Sequence, residues 1–176
     1  IYTLSLHDAL PISGIELALA PLIGRETILR QYIEMVSPLY EYILLDTAPS
    51  QDLLTINALA AADTAIIPVV PKFLDAKGLE QLLKSIAQIK RNINPTLTVS
   101  GILLTMVDTR AKFTQEVIAL IQNAYGNNLR IFGEHIPRSV RASEATAQGI
   151  SIFAHEPHGK IATAYTALTE EVLSCG

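Results

Sequence analysis

Residues 42–70 read YILLDTAPSQDLLTINALAAADTAIIPVV, and their alternation decides the fold class. Tyr42-Ile43-Leu44-Leu45 is a β-prone apolar run too short for a helix, which predicts a strand buried on both faces and stopping at Asp46. Thr47-Ala48-Pro49-Ser50 makes a turn, with Ser50 placed to cap a helix running to about Ala61. Thr64 to Val69 then predicts a second buried strand.

The alternation continues in both directions. Upstream, Ile28, Leu29, Tyr32, Ile33, Met35 and Val36 form a broad apolar stripe at three- and four-residue spacing, ended by Pro38. Downstream, Gly78 to Ile93 predicts an amphipathic helix with Leu79, Leu82, Leu83, Ile86 and Ile89 inward. Leu97 to Met106 predicts a third strand, Phe113 to Tyr125 a helix stopped by Gly126, and Leu129 to His135 a fourth strand. Ser139 caps a short helix through Ala147 that Gly149 ends, and a last helix covers Lys160 to Leu173. Strands alternating with helices predict βαβ units: one α/β domain with a mostly parallel sheet and helices on both faces.

Composition narrows the classes. The 176 residues are 49% apolar and 17% charged, which excludes a disordered tail. No window approaches the roughly 20 uncharged apolar residues that cross a bilayer, so the expectation is a soluble protein. Cys175 stands alone and cannot form an internal disulfide, which fits a reducing cytoplasm. His155 and His158 flank Pro157, which favours a loop over a metal-binding helix face. The net charge of −4 means that any nucleic-acid contact needs a local basic cluster.

Ile1 to Ile12 (IYTLSLHDALPI) fits poorly with the rest of the chain and resembles a translated sequencing adapter. The expectation is that residues 1–12 are non-native and that 13–176 are the C-terminal two-thirds of a single domain. A native strand and loop is the other reading.

In open α/β sheets, ligands bind at the carboxyl ends of strands. Asp46 sits at such a tip, where nucleotide hydrolases hold Mg²⁺ through hard oxygens close to the phosphates. Taken alone, Asp46 serves equally well as a structural cap for the Pro-Ser turn. Thr105 to Lys112 leaves another strand tip, and Arg138 and Arg141 stand three apart at a helix start, where arginine forks suit phosphate oxygens. Both segments can also be read as solvated helix starts.

The order and spacing of several motifs resemble the ParA/Soj family of partition ATPases. They are Asp46-Thr-Ala-Pro-Ser50, Leu53-Leu-Thr-Ile-Asn-Ala-Leu59, Ala62-Asp63, Gly78-Leu79, Gly101-Ile-Leu-Leu-Thr-Met106 and Asp108. Ile136-Pro-Arg138, Val140-Arg141, Ser143-Glu-Ala145, Gly149 and the closing helix continue the likeness, which spans about Gly14 to Leu173. Ala48 replaces the family's first proline, and Gln51 stands where an apolar residue is usual. The resemblance implies a P-loop NTPase-like fold and an ATPase using ATP and Mg²⁺, with Asp46 the catalytic, Walker B-type carboxylate holding the metal through water. It implies Met106, Asp108 and Pro137 on the adenine side, and Arg110, Lys112, Arg138 and Arg141 on a DNA face. It further implies an ATP-dependent homodimer on nonspecific DNA, a ParB-like partner that stimulates hydrolysis, no membrane, and a bacterial, cytoplasmic, nucleoid-associated location.

The phosphate-binding pattern G-x-x-x-x-G-K-[ST] does not occur in these residues. The one Gly-Lys pair, Gly159-Lys160, has Ala154 and Ile161 at the matching positions. The family carries that loop at its N-terminus, so the expectation is a truncated ATPase, inactive as it stands, with an exposed sheet edge or apolar patch. Two alternatives are a noncatalytic DNA- or partner-binding paralogue and a MinD-like membrane ATPase. The acidic tail, with no Lys or Arg after Lys160, suits packing rather than lipid.

Overall fold

The computed structural model describes residues 3–4, 18–47 and 52–174. They form two compact units. The first takes the described residues up to Ala65 together with Gln81–Thr98, and the second takes Ile66–Glu80 with the described residues from Val99 onward.

In the first unit, β1 (Thr3–Leu4) pairs in parallel with β2 (Leu44–Leu45), Thr3 opposite Leu44 and Leu4 opposite Leu45. Helix α1 (Ile28–Val36) lies between 3-10 turns at Arg25–Thr27 and Ser37–Leu39, the second carrying Pro38. Helix α2 (Leu53–Ala61) is capped by Asp52, whose carboxylate accepts from the Thr55 amide at 2.9 Å. The expected cap, Ser50, lies outside the described residues.

Buried amides hold this unit together. Asn57, 3% exposed, accepts from the Leu29 N–H at 3.1 Å and donates to the carbonyls of Arg25 and Leu53 at 2.7 and 2.9 Å. Asn94, also buried, donates to the carbonyls of Leu59 and Ala62. The Arg30 guanidinium donates to Ala60 and Ile93. These side chains thus reach groups that the helix ladders leave unpaired, among them the Leu29 N–H in the first turn of α1 and the Leu59 and Ala60 carbonyls in the last turn of α2.

The strand expected over Tyr42–Leu45 as buried on both faces is neither that long nor buried. Among the described residues only Leu44–Leu45 pair, and Tyr42 and Leu44 are 54% and 52% exposed. Two rungs opposite Thr3–Leu4 leave these side chains uncovered. The apolar stripe of α1 is narrower than its spacing suggests, because Tyr32 and Met35 also face solvent.

Strand β3 (Thr64–Val69), helix α3 (Phe73–Asn92) and strand β4 (Thr98–Leu104) come next in the chain. Helix α3 starts before Gly78, which sits inside it with open space around its missing side chain. Leu79, Ile86 and Ile89 are buried, as the periodicity requires. Thr98 N–H bonds to Asp63 carbonyl at one end of the β3–β4 pair and Thr105 N–H to Val69 carbonyl at the other, so the strands run parallel. Strand β3 is one-sided: Ile67 and Val69 are buried, while Ile66 and Pro68 are exposed.

The second unit adds α4 (Lys112–Tyr125), α5 (Val140–Ala147), α6 (Ile152–His155) and α7 (Lys160–Leu173). Ser139 caps α5 through the Arg141 amide, and Gly149 takes φ 65° just beyond it. Leu103, Phe132, Ile136, Ile161 and Ala164 form a core to which Ile152, Leu168 and Val172 pack. The apolar face of α7 is thereby turned into this core. No described helix is long and apolar enough to cross a membrane.

The fourth strand, expected over Leu129–His135, is instead two isolated parallel bridges to the β4 segment, Ile102 with Ile131 and Val107 with Pro137. Phe132 N–H bonds to Ile102 carbonyl, but the next bond comes from Ile136, not Glu134, to Leu104 carbonyl. Two extra residues therefore bulge from the ladder. The carboxylate of Glu171, on α7, accepts the freed amides of Gly133 and Glu134 at 3.1 and 3.2 Å and a 2.8 Å bond from Arg130. Burial draws the Glu171 carboxyl upward, yet these amides and the Arg130 guanidinium together hold it below the ordinary 4.5. At Gly101 a Cβ would come within 2.9 Å of the Arg130 carbonyl, so only glycine lets the two backbones lie this close.

Candidate nucleotide and DNA site

Two turns meet where the β4 segment ends. Val107 N–H bonds to Ile136 carbonyl and Arg138 N–H to Val107 carbonyl, which places Met106–Asp108 beside Ile136–Arg138 at the carboxyl ends of neighbouring parallel segments. Met106 turns the chain with φ 51°, a left-handed conformation rare for a residue with a side chain, and is 64% exposed. Asp108 folds back on its own turn, with Oδ1 accepting from the Arg110 amide at 3.1 Å. Pro137 borders a groove of about 290 Å³ lined also by Glu134, His135, His158, Lys160 and Thr163.

Met106, Asp108 and Pro137 are thus brought together through backbone pairing. Asp46 belongs to the first unit, directly after β2, and is exposed. It offers one strand-tip carboxylate. Magnesium bound chiefly by phosphate oxygens and water takes only one or two protein carboxylates, so this donor fits a water-mediated role. Among the described residues, no three His, Cys, Asp or Glu side chains form a metal cluster.

The four candidate cations, Arg110, Lys112, Arg138 and Arg141, are all exposed. Arg110 and Lys112 lead from the Asp108 turn into α4, whereas Arg138 and Arg141 straddle the capped start of α5. They do not behave alike. Arg141 Nη1 lies 2.9 Å from Glu144 Oε2, and His155 Nε2 lies 3.5 Å from the same oxygen. The hydrogen bond from Arg141 is the main reason the Glu144 carboxyl is held low, and the same bond raises the Arg141 guanidinium. Glu144 and Glu171 are partners that the motifs alone do not reveal. The i,i+3 spacing of Arg141 and Glu144 is the available signal for the first; nothing local signals the second.

A family profile described as an AAA domain matches residues 6–99, more than half of the chain. The chain is 37% identical to the sporulation initiation inhibitor protein Soj of Bacillus subtilis, over 94% of this chain and 64% of that protein. It is 36% identical to the chromosome partitioning protein ParA of Myxococcus xanthus, over 92% of this chain and 56% of that one. It therefore spans under two thirds of the length of these relatives. Among solved structures, it is similar to cobyrinic acid a,c-diamide synthase from Mycobacterium smegmatis, with bound ADP and magnesium. There the TM-score is 0.67 at 29% identity, over 72% of this chain and 51% of that one. The chain belongs to the AAA-domain family and is a homologue of the Soj and ParA chromosome-partitioning proteins.

Proposed function

We propose that the whole protein is a ParA-type partition ATPase, and that this chain supplies its magnesium-side carboxylate, its adenine-side turns and its DNA face. The observation that carries this reading is the hydrogen-bonded pairing of the Met106–Asp108 and Ile136–Arg138 turns at the ends of neighbouring parallel segments. That is where an α/β sheet accepts a nucleotide. Asp46 holds Mg²⁺ through water, while Met106, Asp108 and Pro137 border the adenine. When bound, Mg²⁺ neutralises charge on the phosphates. The phosphate grip needs a Gly-Lys-Ser or Gly-Lys-Thr loop that these 176 residues do not contain, so the isolated chain does not turn over ATP.

In the ATP-bound homodimer, Arg110, Lys112, Arg138 and Arg141 contact phosphates of nonspecific DNA, and a ParB-like partner stimulates hydrolysis and release. Such a protein works in the bacterial cytoplasm on the nucleoid. The test is ATP binding and Mg²⁺-dependent hydrolysis by this chain and by a version extended at its N-terminus, assayed side by side. Turnover in the extended form alone is the expected result. Turnover by the chain itself would refute the missing-grip argument.

The missing loop also favours a second reading, a noncatalytic module that docks DNA or a partner. Its signature is DNA binding that ignores ATP in both forms.

A further inference from the structure

We infer that Glu144 is a latch on Arg141, competing with DNA phosphate for the guanidinium and so setting how tightly the proposed DNA face binds. This rests on the DNA-binding reading above and deepens it. Of the four candidate cations, Arg110, Lys112 and Arg138 make no side-chain ion pair among the described residues, whereas Arg141 is held 2.9 Å from Glu144 one turn along α5. A carboxylate and a phosphate take the same N–H donors of the arginine fork, so a phosphate reaching Arg141 must displace Glu144 or accept a poorer approach.

Glu144 has a contact besides Arg141. His155, with its side chain only 16% exposed on α6, lies 3.5 Å from the same Glu144 oxygen and gives the carboxylate a second anchor. Glu156 adds a further negative charge acting on Arg141. The most strongly paired arginine of the patch is therefore the one whose release adds a phosphate contact. The latch keeps the affinity of a sequence-independent surface moderate, which suits a protein that must let go of DNA.

The test uses the full-length protein with ATP and Mg²⁺ and a random-sequence duplex, titrated by fluorescence anisotropy over a salt series. Glu144→Gln, nearly isosteric, should bind about two- to five-fold tighter, the scale of a surface ion pair. Its log–log salt slope should steepen by about one phosphate contact. The gain should vanish in the double variant Glu144→Gln with Arg141→Ala. Unchanged or weaker binding by Glu144→Gln, while Arg141→Ala still weakens the wild-type protein, would overturn the latch and leave the DNA face standing. A gain that survives in the double variant would also overturn it, because removal of a negative charge would then suffice. If Arg141→Ala alone has no effect, Arg141 is not on the DNA face and the latch falls with it.

Discussion

Asn57 and Asp46 stand eleven residues apart in neighbouring motifs, yet they do different work. The Asn57 amide closes three hydrogen bonds inside the first unit and is almost fully buried. Asn57→Leu keeps the branched shape but takes the partner from the Leu29 N–H and the Arg25 carbonyl. It should cost about 2–3 kcal/mol in urea unfolding; a loss below about 0.5 kcal/mol would show that water replaces the amide. Asp46 is exposed and satisfies nothing comparable. Asp46→Ala in the full-length protein should therefore leave the thermal melt within a degree or so while abolishing Mg²⁺-dependent turnover. Undiminished hydrolysis would remove Asp46 from the mechanism. In the sequence Asn57 has no role beyond membership of a motif, because a buried amide and an exposed one look the same in one dimension.

Helix α7 lines the groove beside Pro137 with Lys160 and Thr163, and it also supports the bulge that precedes that proline. Glu171 holds the Gly133 and Glu134 amides, and that excursion sets the register in which Pro137 pairs with Val107. Glu171→Gln should lower stability at pH 7 by about 1 kcal/mol, since a charged acceptor is replaced by a neutral one that cannot serve three donors. The folded-state pKa of Glu171 lies below the ordinary 4.5, so its contribution is complete above the unfolded value and is lost as pH falls through the folded one. The gap between wild type and Glu171→Gln should close below about pH 4.5. A gap that persisted at acid pH would assign the effect to packing. The boundaries of α5 and α7 are legible in the sequence because Ser139, Gly149 and Gly159-Lys160 punctuate them. The fourth strand is not, because its interruption depends on a carboxylate 37 residues further along the chain.

At the scale of the whole chain, the charge of −4 leaves the proposed DNA binding to a local patch, so affinity should fall steeply with salt. Arg110→Ala combined with Arg141→Ala in the full-length protein should weaken binding and flatten the slope by about two phosphate contacts. An unchanged slope would place the patch elsewhere. Residue order is enough to establish the α/β class, the succession of strands and helices and the homology, because apolar periodicity and turn residues are local and survive in one dimension. Only the folded chain reveals which apolar residues stay in water, such as Tyr42 and Leu44, and which polar ones are buried, such as Asn57. Folding also brings Met106–Asp108 against Ile136–Arg138, and commits Arg141 to Glu144 and Gly133 to Glu171. Burial and hydrogen-bond partnership depend on which groups come within about 3 Å of one another, and sequence spacing carries that information only inside a single helix or strand.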